Sequence, residues 1–214
     1  MTQLTLEWPH LAATGRADFL VSDCNREALG LVEAWPAWPA PGLVVYGPPG
    51  SGKTHLANLW CVRAAARLID GARLGPDAGA DIAGPVAIDN AEQAPETALL
   101  HLYNAVVERG GAVLIAARQA PAGWTIALPD LASRLRALPA AGIGGPDDAL
   151  LAAVLVKHFA DRQLRVGPEV IAYLTLRMER SFAAAAALAE RLDRLALREG
   201  GAVTVPLARR AISP

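Results

Sequence analysis

Three short apolar runs punctuate the first two thirds of the chain: Leu43-Val44-Val45-Tyr46, Pro85-Val86-Ala87-Ile88-Asp89 and Ala112-Val113-Leu114-Ile115-Ala116. None alternates with polar residues, so each reads as a strand buried on both faces, the habit of parallel sheets. Between and before them lie stretches with apolar residues at helical spacing: Asp18 to Val32, His55 to Leu68 and Glu96 to Arg109, the last stopping at Gly110-Gly111. The prolines of Trp35-Pro36-Ala37-Trp38-Pro39-Ala40-Pro41-Gly42 end the first helix, because each disfavours helix at itself and at the residue before it. Strands alternating with helices predict a parallel sheet covered on both faces. Gly71 to Gly84 is too rich in Gly, Pro and Asp to assign. After Gly142-Ile143-Gly144-Gly145-Pro146 the strand pattern stops. Helices are expected from Asp147-Asp148 through His158, over Pro168 to Met178 and over Ser181 to Arg198. The pattern divides the chain into an extended tail (1–10), an α/β domain (11–145) and a small all-helical lid (146–214).

Composition narrows what such a protein does. Of 214 residues, 53% are hydrophobic and 19% charged, which excludes a disordered chain. The formal net charge is −1, so whole-chain attraction to nucleic acid or an anionic membrane is not expected. No basic leader precedes an apolar stretch, and no apolar run approaches the ~18 residues of a spanning helix, which suggests a cytoplasmic protein. Cys24 and Cys61 lack metal-ligand spacing and read as reduced thiols. Only Lys53 and Lys157 are lysines against eighteen arginines, so an arginine carries little information here and a lysine more.

One of those lysines closes a motif. Gly47-Pro48-Pro49-Gly50-Ser51-Gly52-Lys53-Thr54 fits G-x-x-x-x-G-K-[ST], between a predicted strand and a predicted helix. Such a loop wraps backbone N–H groups around a phosphate at a helix N-terminus. Lys53 is placed to reach the β- and γ-phosphates, and the Thr54 hydroxyl to ligate Mg²⁺. Asp89 ends the second strand, where parallel topology brings it beside the loop as a second Mg²⁺ partner. The next position, which in hydrolytic enzymes of this build usually holds the acid that activates water, is Asn90, and an amide cannot take a proton. Glu92 is two residues too far along to be an assured substitute. Nucleotide binding is supported; rapid intrinsic hydrolysis is not.

These residues resemble the DnaA-like branch of the AAA+ ATPases, and within it the Hda regulators of replication, over nearly the whole chain. Ile88-Asp89-Asn90 is similar to the Ile-Asp-Asn of Hda, where DnaA has Ile-Asp-Asp. Leu128-Pro129-Asp130-Leu131-Ala132-Ser133-Arg134-Leu135 resembles the segment that carries the arginine finger. Phe19-Leu20-Val21 with Asn25 looks like the segment that helps cover the adenine. Arg180, in Met178-Glu179-Arg180-Ser181-Phe182, falls where the lid's sensor arginine is expected, and Gln3-Leu4-Thr5-Leu6 resembles the peptide by which Hda binds the DNA polymerase III sliding clamp (its β subunit). Two departures stand out: the first sensor position is Ala117 followed by Arg118, and the chain ends at Pro214, which leaves no room for DnaA's C-terminal DNA-binding domain.

The resemblance implies an AAA+ P-loop fold with a helical lid and a bound nucleotide, ADP or ATP, with Mg²⁺. The nucleotide contacts would come from Pro49, Gly50, Ser51, Gly52, Lys53, Thr54 and His55 of the loop, with Phe19, Val21 and Arg180. Thr54 and Asp89 would be the metal partners. It further implies an adaptor tethered to the clamp through Gln3, Leu4 and Leu6, with Trp8 extending the contact. From there Arg134 acts in trans on the ATPase site of DnaA, with Arg136 the runner-up for that role. Direct DNA contact is not expected, and a homo-oligomer that hides Arg134 or the tail is compatible with the sequence. Two rivals stay open: an independent ATPase or helicase loader of the same fold, and a P-loop small-molecule kinase.

Overall fold

Alternate residues of the buried strands face opposite helical layers. In the computed structural model, which describes residues 15–80, 82–199 and 201–212, five parallel strands are β1 (Gly42–Tyr46), β2 (Arg67–Asp70), β3 (Val86–Asp89), β4 (Val113–Ala117) and β5 (Ala140–Gly142). Their order across the sheet is β2-β3-β4-β1-β5. Val44, Val86, Ile88, Val113 and Ile115 point to one side, against α3 (Glu96–Glu108) and α4 (Pro129–Arg136). Leu43, Val45, Ala87 and Leu114 point to the other, against α1 (Arg26–Glu33) and α2 (Lys53–Ala64), where Trp60 is fully buried. Each large side chain so buried stabilises the fold by about 1.5–3 kcal/mol. A sheet clad on both faces with every strand parallel is the predicted α/β architecture.

The molecule divides into two compact units, one from Phe19 to Asp147 and one built on Asp148 onward. The second is a separate helical body of α5 (Asp148–Asp161), α6 (Pro168–Thr175), α7 (Phe182–Glu199) and α8 (Val205–Ile212), closed around Leu151, Leu155, Phe159, Leu174, Leu192 and Leu207. Its only extended pairing among the described residues is one parallel bridge, Val166 to Val203. Among the described residues, no helix is long and apolar enough to cross a membrane.

Several expected boundaries shift. The helix expected from Asp18 begins only at Arg26, because the buried Asn25 side chain ties the preceding loop: its Oδ1 accepts from the Ser22 N–H and its Nδ2 donates to the Leu20 carbonyl, both at 2.9 Å. The helix expected to run to Leu68 ends at Ala64. Ala65 turns left-handed (φ 49°), the Ala66 N–H returns to the Cys61 carbonyl at 2.9 Å, and the chain enters β2 at once. The lid helix expected through Met178 stops at Thr175, and α8 completes the lid core without having been anticipated. The unassigned stretch from Gly71 to Gly84 is fastened by Arg109, whose guanidinium donates to the carbonyls of Gly79 (2.9 Å) and Ile82 (2.6 Å).

Candidate functional site

The strand order sets the site. β1 runs between β4 and β5, so the loop that leaves its C-terminal end emerges where the sheet's connections reverse, the usual binding crevice of an open parallel sheet. That loop is Gly47–Gly52, and α2 begins at Lys53. Gly52 takes φ +94°, a left-handed conformation that side chains rarely adopt, and a Cβ there would also stand 3.0 Å from Phe19 Cε2. At Gly47 a Cβ would come within 2.7 Å of the Ile143 carbonyl oxygen. The two outer glycines of the motif therefore answer to local geometry before any ligand is considered.

Lys53 folds back over this loop. Its Nζ donates to the carbonyls of Gly47 (2.9 Å) and Pro48 (2.8 Å). Burial pushes its ammonium below the ordinary lysine value; Asp89 and Glu92 pull it back up, and Arg118 adds to the fall. Thr54 Oγ1 donates to Asp89 Oδ2 at 2.6 Å, and the other Asp89 oxygen accepts from the Asn90 N–H at 3.0 Å. Ser51 Oγ is buried in the same loop without a hydrogen-bond partner.

These groups fit a Mg²⁺-bound nucleotide. The loop and the start of α2 present N–H groups, Lys53 supplies a cation, the orphaned Ser51 hydroxyl lacks a partner, and the Thr54 and Asp89 oxygens stand together as hard ligands. No cluster of three or more His, Cys, Asp or Glu suited to a metal occurs among the described residues. A divalent ion would therefore need oxygens from phosphate or water beside these two.

The residues expected around the base lie in the same unit. Phe19 is buried and meets His55 edge-to-face, with ring centroids 5.3 Å apart, so the aromatic entry is packed onto the start of α2. Val21 stays exposed. Pro49 and Gly50 are exposed at the loop's crest.

Two contacts at the strand ends escaped sequence reasoning. Asn90 adopts the left-handed conformation (φ 51°) and turns its Nδ2 to Asp70 Oδ1, 3.5 Å away at the end of β2. Glu92 is tied to Arg118: Nε to Oε1 at 3.2 Å, while the Arg118 N–H donates to Oε2 at 3.3 Å. The partners are 20 and 26 residues apart, and neither pair has a spacing that sequence periodicity detects. The one available signal was that Glu92 is the first acid after Asp89.

Arg134 lies on α4, which packs beside α3. It is about 40% exposed, pairs with Asp130 one turn earlier (3.2 Å) and acts on the buried Tyr103 phenol, lowering a value that burial raises. Arg136 is exposed. In the helical unit, Arg180 is exposed and pairs with Asp148 at 3.2 Å. Gln3, Leu4, Leu6 and Trp8 lie outside the described residues.

Residues 147–212 match the family model of the Hda lid domain. No curated protein matches the chain in sequence. Among solved structures the fold is similar to domain III of the Thermotoga maritima replication initiation protein DnaA, with a TM-score of 0.76 and 17% identity over 92% of this chain and 95% of that one. It is also similar to a replication initiator DnaA bound to AMPPCP and single-stranded DNA (TM-score 0.68, 18% identity, 91% of this chain and 66% of that chain). The Thermotoga maritima RuvB Holliday junction branch migration motor shares the fold as well (TM-score 0.72, 14% identity, 94% and 72%). The fold is thus AAA+, of the DnaA kind, followed by a helical lid.

Proposed function

We propose that this chain, an Hda/DnaA-like AAA+ protein, is a cytoplasmic adaptor that binds ADP or ATP and stimulates ATP hydrolysis by DnaA. The observation that carries the reading is an imbalance at the strand ends. The groups that hold a nucleotide are assembled, with Lys53 on the loop and Thr54 on Asp89, while the groups that hydrolyse one are not. Asn90 faces Asp70, Ala117 offers no polar side-chain atom at the end of β4, and Glu92 is occupied by Arg118. A bound nucleotide with Mg²⁺ supplies charge that Lys53, Thr54 and Asp89 hold in place. Its part here is to order the chain rather than to turn over.

The catalytic contribution goes to the partner. Arg134 is half-exposed, and its exposed i,i+4 pair with Asp130 is worth only about 0.3–0.5 kcal/mol, so the guanidinium leaves it at small cost. A planar, permanently charged group brought to the γ-phosphate of a neighbour's ATP stabilises the transition state for phosphoryl transfer. Gln3, Leu4, Leu6 and Trp8 would tether the protein to the sliding clamp and so concentrate it near DnaA.

The competing reading is an independent ATPase or helicase loader, and it gains Glu92 as an acid near the loop but loses it again to Arg118. Phosphate release separates the two. The adaptor turns over little ATP alone and raises turnover by DnaA when clamp-loaded DNA is present; brisk hydrolysis by the isolated chain would sink the proposal.

A further inference from the structure

The pair between Glu92 and Arg118 sits where it bears on the chemistry of the phosphate loop. The peptide that joins Ala117 to Arg118 is bonded on both sides. Its carbonyl accepts from the Gly47 N–H (3.1 Å), the first residue of the loop, and its N–H donates to Glu92 Oε2 (3.3 Å). The Glu92 carboxylate is therefore fixed one peptide away from the loop's first glycine, whose own carbonyl holds Lys53. Both Glu92 oxygens are engaged, one by the Arg118 backbone and one by its guanidinium. The side chains differ in freedom: Glu92 is 24% exposed and Arg118 57% exposed. Both line a cavity of about 290 Å³ shared with Gln119, Trp124, Thr125 and Leu131, so the pair has room to separate without disturbing the strands.

We propose that Arg118 is a restraining residue: it holds Glu92, the first acid after Asp89, out of hydrolysis. The charge of Glu92 is felt by Lys53. The inference rests on the reading that the loop binds a nucleoside triphosphate as well as a diphosphate. Released from Arg118, Glu92 has a carboxylate oxygen with which to take a proton from water. That water's oxygen then forms a bond to Pγ of substrate ATP as the bond from Pγ to the bridging oxygen breaks. The electron pair leaves with ADP, inorganic phosphate is the second product, and the proton passes from Glu92 to solvent. With Arg118 in place the carboxylate is held toward that residue, its Oε2 accepting from the backbone N–H and its Oε1 ion-paired with the guanidinium.

The test uses the full chain in three variants, Arg118→Gln, Glu92→Gln and the double variant. Single-turnover hydrolysis of ATP by Arg118→Gln should exceed wild type by about a hundredfold or more, the low end of what a positioned base contributes. The double variant should return to the wild-type rate. A purely structural role for Arg118 predicts no gain, and certainly none that depends on Glu92. A rate for Arg118→Gln equal to wild type, or a gain that survives in the double variant, overturns the proposal. A second readout needs no turnover. In nucleotide-free protein the Arg118 Nε–H signal, assigned by its loss in Arg118→Gln, should exchange with solvent several-fold faster in Glu92→Gln; unchanged exchange also overturns it. Binding of a fluorescent ATP analogue to wild type separates the two layers. Absence of binding contradicts the nucleotide reading, and the Nε–H measurement still decides whether Arg118 restrains Glu92.

Discussion

Thr54 Oγ1 donates a 2.6 Å hydrogen bond to Asp89 Oδ2, joining the start of α2 to the end of β3 across 35 positions of sequence. Two oxygens that a Mg²⁺ ion would share are thus preassembled by the sheet. Asp89→Asn keeps the side-chain shape and removes the charge. Its affinity for ADP should fall about tenfold with Mg²⁺ present, the scale of one charge-assisted contact, and change little in EDTA. Titration with a fluorescent ADP under both conditions measures this. An equal loss in both would mean that Asp89 acts through loop structure rather than through the metal.

Asn90 has a structural reason to be an amide. Its Nδ2 stands 3.5 Å from Asp70 Oδ1, so Asn90→Asp would set two carboxylates against each other. The repulsion costs at least about 1 kcal/mol, its value in bulk water, and should lower Tm at pH 7 by about 2–4 °C or more. Like-charge proximity raises a carboxyl pKa in the folded state. The penalty is therefore full above the carboxylate range and disappears as pH falls through it. Thermal melts of Asn90→Asp and wild type should converge toward pH 4. A penalty constant with pH would place its cause in the backbone instead.

His158 gives the helical unit a pH dependence of its own. Burial lowers its pKa first, Arg162 and Lys157 lower it further, and Asp161 opposes them. The folded imidazole is held neutral where an unfolded one would already bind a proton. Stability is therefore full above the ordinary histidine value of about 6.5 and is lost as pH falls from there toward the lowered folded value. Between pH 7 and pH 5 the melting temperature should fall less in His158→Gln than in wild type. Parallel declines would assign the pH dependence to other groups.

The sequence displayed what is local or repeats with a period, and it hid what depends on partners distant along the chain. β1, β3 and β4 were legible because each is an apolar run buried on both faces. β2, Arg67-Leu68-Ile69-Asp70, is an edge strand entered straight from a helix through a left-handed alanine, a site with none of the usual Gly or Pro punctuation. β5 is Ala-Ala-Gly, residues with little preference for strand, and it pairs because β1 offers it an edge. In the site, Lys53, Thr54 and Asp89 could be named from motif and strand order. That Asn90 turns to Asp70 and Glu92 to Arg118 is decided by how the ends of neighbouring strands are juxtaposed, which no spacing encodes. The abundance of arginine also hid more than it showed: Arg109 fastens a loop and Arg118 an acid, and composition singled out neither.

The central claim, that this chain lends an arginine to DnaA, is tested most directly by ATP hydrolysis by DnaA in the presence of clamp-loaded DNA. Wild-type protein and Arg136→Ala should stimulate it, whereas Arg134→Ala, with its fold and nucleotide affinity intact, should leave the rate at the level of DnaA alone. Stimulation by Arg134→Ala equal to wild type would contradict the account.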